Sequence, residues 1–414
     1  MHHHARAATA GPHTPGSRNG SGRGRNRLRH TAVGLIAAAM VASPVTPSAS
    51  AGTRDAGHRP SDHRATQQAL DAAVRGGPPG ALARAERGHD VWTGRSGTAD
   101  LASGRQPRDD DRFRAGSLTK TFVAAVMLQL EAEGRLSLTD TVDHWLPGVV
   151  RGKGHDGTGI TVRQLLNHTS GIYSYTDDPG FKRKEFGTGF LRHRFDTWTP
   201  EHIVRLAMTH EPSFAPGTGW SYSDTNYVLA AMVIQKATGR AYAREIERRI
   251  LRPLHLDSTT FPGTRTRMPG PSGRAYSKLT GELGGPADPK STTYDVSELN
   301  PSLAGAAGEM ITNTRDLNRF YRSLLSGRIL KEPQRKEMTT TVPIKGVPDV
   351  SYGLGLMKFT LSCGVEVWGH NGGIQGSISQ SVTTANGEHA LSLNLNGDWN
   401  AQVPPVTEAE FCTP

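Results

Sequence analysis

Cysteine is nearly absent: Cys363 and Cys412 are the only two in 414 residues. Long apolar runs are missing as well. The run near the start, Thr31–Ala42 (TAVGLIAAAMVA), falls short of the ~20 residues that a membrane-spanning helix needs, which argues against a stable membrane anchor. Residues 1–30 contain no acid, while Arg6, Arg18, Arg23, Arg25, Arg27 and Arg29 all lie there. There is no internal repeat, so a solenoid or propeller is not indicated.

The missing acids and the short apolar run fit together. A basic stretch, a brief apolar region and a small-residue site at Ala49-Ser50-Ala51 have the form of a secretory signal peptide over residues 1–51. A disordered basic tail is the alternative. His2-His3-His4 falls in the discarded segment and is no evidence for a metal site. Cleavage after Ala51 would leave a secreted chain. Both cysteines would then lie in an oxidising compartment, where an even count favours one disulfide; two unpaired thiols are the other possibility. A crosslink closing a loop of about 50 residues contributes roughly 4 kcal/mol in the chain-entropy view.

The whole chain carries a net charge of +10. Without the six arginines of residues 1–51, forty-two Lys and Arg face thirty-eight Asp and Glu, leaving +4. That is too mild to argue for a nucleic-acid partner. It is compatible with work near an anionic cell wall. With 35% hydrophobic and 21% charged residues, the chain reads as globular, and it is long enough to bury a sizeable core.

Residues 52–65 are polar and contain Gly and Pro, as in a flexible mature N-terminus; the folded domain is expected over 66–414. A first helix fits Ala65–Val74, and strands fit Ala81–Glu86 and His89–Thr93 with a turn at Gly88. The strongest helix follows, with Phe122, Val123, Val126, Met127 and Leu130 at helical spacing and Gly134 placed to end it. Further helices are expected from Thr161, Thr199, Asp224 and Thr314, each start offering a capping oxygen. Near the C-terminus, Ile378–Ala385 and Glu388–Asn396 flank Asn386-Gly387, a favoured hairpin turn. Strands at both ends with helices between predict an α+β fold. An antiparallel sheet would be built from the N- and C-terminal segments and flanked by helices, with a mostly helical insertion.

Three short motifs carry chemistry. Ser117-Leu118-Thr119-Lys120 is the single Ser-x-x-Lys, placed where the strongest helix begins. A serine needs a neighbouring base to be a nucleophile, and a lysine three residues on lies one helical turn away on the same face. Desolvation or a second cation could lower that lysine's pKa enough for the task. Alone, the pair reads more readily as an N-cap and a solvated lysine. Tyr222-Ser223-Asp224 precedes an apolar helix; a tyrosine near a lysine can shuttle a proton, or Ser223 or Asp224 can simply cap. His370-Asn371-Gly372-Gly373 follows an alternating strand. Its glycines would let a substrate approach the backbone and use a free N–H as an oxyanion donor; otherwise it is a Gly-rich edge with a surface histidine.

The order of the three motifs is more specific than any one of them. In that order the sequence resembles the penicillin-recognising serine hydrolases, the branch of class C β-lactamases and D-alanyl-D-alanine carboxypeptidases. It looks most like the secreted actinobacterial carboxypeptidases. The resemblance covers about residues 66–400 and includes Ile160–Gly171 (ITVRQLLNHTSG), Tyr352–Leu356 (YGLGL), Leu361–Gly364 (LSCG) and Glu410–Cys412 (EFC). It implies the β-lactamase/transpeptidase-like fold and an acyl-enzyme on Ser117. Lys120 and Tyr222 would move protons, and the N–H groups of Ser117 and Gly373 would form the oxyanion hole. Asp224, His370, Asn371 and Gly372 would line the substrate site. It also supports a Cys363–Cys412 bridge. No metal or organic cofactor is implied. The expected partner is a small molecule or peptide (a D-Ala-D-Ala peptide, an ester or a β-lactam), and the expected state is a monomer. The leading function is D-Ala-D-Ala carboxypeptidase. The rivals are an esterase or β-lactamase on the same fold, and a non-catalytic β-lactam- or peptidoglycan-binding protein.

The sequence departs from the family pattern at four places. Asp224 stands where the family usually has Asn, and Asn371 where it usually has Thr. Met357 stands where close relatives place an arginine for the substrate carboxylate; the adjacent Lys358 should face the other way on a strand. Pro404-Pro405 would interrupt the C-terminal helix that relatives pack there.

Overall fold

The computed structural model describes residues 62–413. The expected signal peptide, its cleavage point and most of the expected flexible N-terminus lie outside the described residues. Eight strands form one antiparallel sheet: β1 (Gly80–Arg87), β2 (Asp90–Gly97), β3 (Val342–Ile344), β4 (Val347–Tyr352), β5 (Met357–Thr360), β6 (Glu366–Ile374), β7 (Ser377–Thr384) and β8 (His389–Leu395). Their order is β2-β1-β8-β7-β6-β5-β4-β3. The N-terminal hairpin therefore joins the C-terminal strands edge to edge, with Ala81 opposite Leu395 and Ala85 opposite Leu391. Most of the helical segments lie in the sequence between these two parts.

The helices that matter for the site are α1 (Arg64–Arg75), α2 (Thr119–Ala132), α3 (Asp224–Thr238), α4 (Thr314–Leu325) and α5 (Pro404–Cys412). Helix α2 is apolar nearly all round, as a helix buried on every side must be. Thr119 to Leu128 are buried without a break. Each large apolar side chain buried in this way contributes about 1.5–3 kcal/mol. That anchors the turn just before α2, which carries Ser117. The hairpin turns at Asn386-Gly387 as its residues require, and α2 stops at Ala132, two residues before Gly134 in the left-handed region.

Several boundaries differ from the sequence expectation, each for a local reason. Thr161 and Thr199 cap their helices as expected, accepting from Gln164 and His202 N–H. The other two caps lie one residue earlier. Asn313 caps α4, and Ser223 precedes α3 without a side-chain cap bond. Helix α1 starts at Arg64, inside the stretch expected to be flexible. The cause is a buried carboxylate: Glu410 accepts from Thr66 (2.8 Å) and pairs with His63 (3.0 Å) and His389 (2.7 Å), clamping α1 to α5 and β8. The prolines expected to break the C-terminal helix begin it instead. Pro404 stands in the first turn of α5, where a backbone N–H would have no helical partner, so its absence costs nothing. Cys363 and Cys412 are joined as a disulfide, tying the β5–β6 turn to the end of α5. Among the described residues, no helix is long and apolar enough to cross a membrane.

Candidate active site

Ser117 sits in a short 3-10 turn, Gly116–Leu118, that runs directly into α2. Its approach to the sheet depends on two glycines. Gly116 has φ of +55°, and a Cβ there would lie 2.6 Å from the backbone nitrogen and oxygen of Gly373. A Cβ on Gly372 would lie 1.9 Å from the Ala115 carbonyl oxygen. Gly372 was expected to admit substrate; its missing Cβ admits the Ser117 loop against β6. The backbone nitrogen of Gly373 is thereby brought beside the residue that precedes Ser117.

Lys120 lies one turn on and is fully buried. Its Nζ is 2.9 Å from Ser117 Oγ, 2.6 Å from Asp224 Oδ1 and 2.8 Å from the Ala307 carbonyl oxygen. Three acceptors match the three protons of an ammonium. Asp224 and the Ala307 carbonyl can only accept, so they keep two protons on the nitrogen. When Lys120 gives up its third proton, the lone pair faces the one partner able to donate, the Ser117 hydroxyl. Burial lowers the lysine's pKa, and the Asp224 carboxylate works against that.

Asp224 was expected to face substrate. Its carboxylate is instead held by Lys120 on one oxygen and by the Thr176 hydroxyl (3.0 Å) on the other. It opens α3, where the helix dipole favours a negative charge. Tyr222 packs its ring 4.8 Å from Lys120 Nζ. Burial, and then the Asp224 charge, push the Tyr222 phenol well up, so it remains protonated near neutral pH.

His370 does not stand where a cation would meet substrate. It is 1% exposed, with Nε2 at 2.8 Å from the Tyr352 hydroxyl and Nδ1 at 2.5 Å from the Asn371 carbonyl. Burial, aided by the Lys120 charge, drives its pKa down to about 3, so the imidazole is neutral. The Asn371 side chain is turned away. Alternation along β6 puts it on the face opposite His370, where Asn371 Oδ1 accepts from Gln380 (2.8 Å). Met357 is buried with Ile344 and Tyr352 in a cluster against which Trp220 and Tyr222 pack. Lys358 is spent on Glu366 at 2.8 Å.

Sequence reasoning missed His168, Thr176, Ala307 and Tyr352. His168 and Tyr352 stand inside the stretches that carried the resemblance, and His168 has a left-handed φ of 63°, unusual for a residue with a Cβ. Nothing in the sequence marks Ala307, which acts through its carbonyl. Among the described residues, one group of potential metal ligands converges, Cys363, Glu408 and Cys412. Its two sulfurs are bonded to each other, leaving a single carboxylate.

A serine bonded to a buried lysine one turn along, against an interior strand of an antiparallel sheet, defines a serine hydrolase of the β-lactamase/transpeptidase fold. The Beta-lactamase family pattern matches residues 62–393, and the chain belongs to that family of penicillin-recognising serine hydrolases. Among solved structures it is similar to a D-stereospecific amidohydrolase from Streptomyces sp. The two are 59% identical, with a TM-score of 0.80, covering 85% of this chain and 99% of that one. It is 30% identical over 313 residues to penicillin-binding protein 4* of Bacillus subtilis strain 168, covering 73% of this chain. It is 37% identical over 182 residues to the esterase EstB of Burkholderia gladioli, covering 43% of this chain. The chain spans 64% and 45% of the lengths of these last two proteins.

The opposing influences on Lys120 give a testable pH effect. In Asp224→Asn the charge that raises the lysine's pKa is gone, and desolvation acts unopposed, so that pKa falls further. The acid limb of kcat/KM for an ester, which reports the free enzyme, should therefore move to lower pH. A limb that stays in place or moves up would remove Lys120 as the titrating base.

Proposed function

We propose that the chain is a secreted acyl-transfer hydrolase that cleaves amides and esters of D-amino acids. Ser117 Oγ attacks the carbonyl carbon while its proton passes to neutral Lys120. The oxyanion that forms is held by the N–H groups of Ser117 and Gly373. The C–N or C–O bond then breaks, and the proton returns from Lys120 through the Tyr222 hydroxyl to the leaving group. Water attacks the acyl-enzyme by the same route in reverse. The raised pKa of Tyr222 suits this role: a phenol that stays protonated can hand on a proton, whereas it makes a poor resident base.

The observation that carries the substrate class is Met357. A peptide ending in D-alanine presents a carboxylate, which an arginine can grip with two parallel hydrogen bonds. Here that position is an apolar side chain in a buried cluster, and the neighbouring lysine is paired with Glu366. A charge-assisted hydrogen bond contributes about 1.5–3 kcal/mol, roughly ten- to a hundredfold in rate. The resemblance to a D-stereospecific amidohydrolase over nearly the whole of that protein supports the same reading. D-Ala-D-Ala carboxypeptidase activity is the second reading, favoured by the penicillin-binding relative. Export after Ala51 belongs to the proposal too, supported by the signal-like N-terminus and the disulfide.

The test compares kcat/KM for a D-amino acid amide, its L enantiomer and an acylated D-Ala-D-Ala peptide. The D-amide is expected to exceed the peptide by about tenfold or more. Equal or faster cleavage of the peptide would overturn the assignment in favour of the carboxypeptidase.

A further inference from the structure

Two buried side chains that the chemistry above leaves unused, His168 and Tyr352, fill the gap between the second and third motifs. The Ser223 backbone N–H lies 3.1 Å from His168 Nδ1, with Asn226 Nδ2 at 3.3 Å. A backbone N–H can only donate, so His168 Nδ1 carries no proton and Nε2 does. That Nε2–H donates to the Tyr352 hydroxyl at 3.2 Å. At the other end, the Asn371 carbonyl can only accept, so His370 Nδ1 carries the proton. His370 Nε2 is then left as an acceptor for the Tyr352 O–H at 2.8 Å. The direction of every hydrogen bond in the chain is fixed from its two backbone ends.

The surroundings keep both rings neutral. Burial drives His168 well below the usual histidine range, and the charge on Lys120 adds to this. The groups facing the two rings are Lys120 from α2, Trp220 and Tyr222 from the segment before α3, Tyr227 from α3 and Tyr352 from β4. Asp224 is the counter-charge, bonded to Lys120.

We propose that His168 and Tyr352 are positioning residues: with His370 they form a one-directional hydrogen-bond chain that braces the strand of Gly373 against the segment of Tyr222 and leaves no imidazolium to compete with Lys120. This rests on Ser117 being the hydrolytic nucleophile. In Tyr352→Phe, His370 Nε2 loses its donor, and the link between His168 and His370 is broken. Small misplacements of a catalytic group cost up to about a hundredfold. For Tyr352→Phe we expect kcat to fall about 10–100-fold with KM little changed. His168→Ala should behave alike. His168→Gln, whose amide N–H can replace the lost Nε2–H donor, should recover most of the rate.

An independent readout is imidazole nitrogen NMR of the wild-type protein, assigned with the same variants. It should show His168 as the Nε2–H tautomer and His370 as the Nδ1–H tautomer, both unchanged from about pH 5 to 8. An imidazolium at either position in that range would overturn the proposal. So would the opposite tautomers, or a Tyr352→Phe enzyme with an unaltered kcat. If wild-type protein hydrolysed neither ester nor amide, the functional reading would fail, and the tautomers alone would decide the hydrogen-bond chain.

Discussion

Ser117→Ala should lower ester and amide hydrolysis by on the order of ten-thousandfold or more, with the fold intact. Removing the nucleophile from a concerted serine site costs nearly as much as removing its partners as well, because the members act as a unit. Residual turnover would come from the oxyanion donors and from substrate binding, neither of which alanine disturbs. The substitution is small and stands half-buried in a turn whose shape is set by the buried Gly116 and Leu118 on either side. Steady-state rates together with an unchanged melting temperature would establish the point. A loss below tenfold would mean that the acyl group is carried elsewhere.

Lys120→Met should produce a second loss of comparable size, about a thousandfold or more, because Ser117 then has no base to receive its proton. Methionine fills much of the same space in the buried slot between α2 and α3. It cannot satisfy Asp224 or the Ala307 carbonyl, which now share Lys120. Breaking one partner out of a buried ion pair costs about 3–5 kcal/mol, and the 18% exposure of the Asp224 side chain points to the lower end. The two effects separate in the double variant Lys120→Met/Asp224→Asn. Its stability should recover while its activity stays lost. Recovery of activity in the double variant would show that the lysine serves only to neutralise the carboxylate.

The parts of this protein that were legible in the sequence are those set by local spacing. Ser117 and Lys120 are three residues apart, and the helical repeat alone puts them on one face. The Asn386-Gly387 turn specifies the β7–β8 hairpin in the same way, but the Leu391, Leu393, Leu395 alternation shows only one buried face where β8 is buried on both. The family resemblance supplied the order of motifs and the fold. What spacing could not supply is which groups meet across the chain. Asp224 lies 104 residues from Lys120 and was assigned to substrate because nothing local links the two. His168 and Tyr352 are 184 residues apart. The neutrality of His370 follows from burial and from a cation on another element, neither of which the motif displays. The resemblance grouped Asn371 with His370, whereas a strand sends neighbouring side chains to opposite faces, and Asn371 meets Gln380.

The central claim is a covalent intermediate on Ser117, and acyl trapping tests it most directly. The protein would be incubated with a β-lactam or a slowly turned-over D-amino acid ester, quenched in acid, digested with trypsin and mapped by mass spectrometry. Cleavage after Arg114 and Lys120 isolates Ala115–Lys120, in which Ser117 and Thr119 are the only hydroxyl residues. The account predicts that this peptide gains the mass of the acyl group, with fragmentation placing it on Ser117, and that Ser117→Ala gains none. An acyl group on Thr119 or any other residue would contradict it, as would turnover by Ser117→Ala at the wild-type rate.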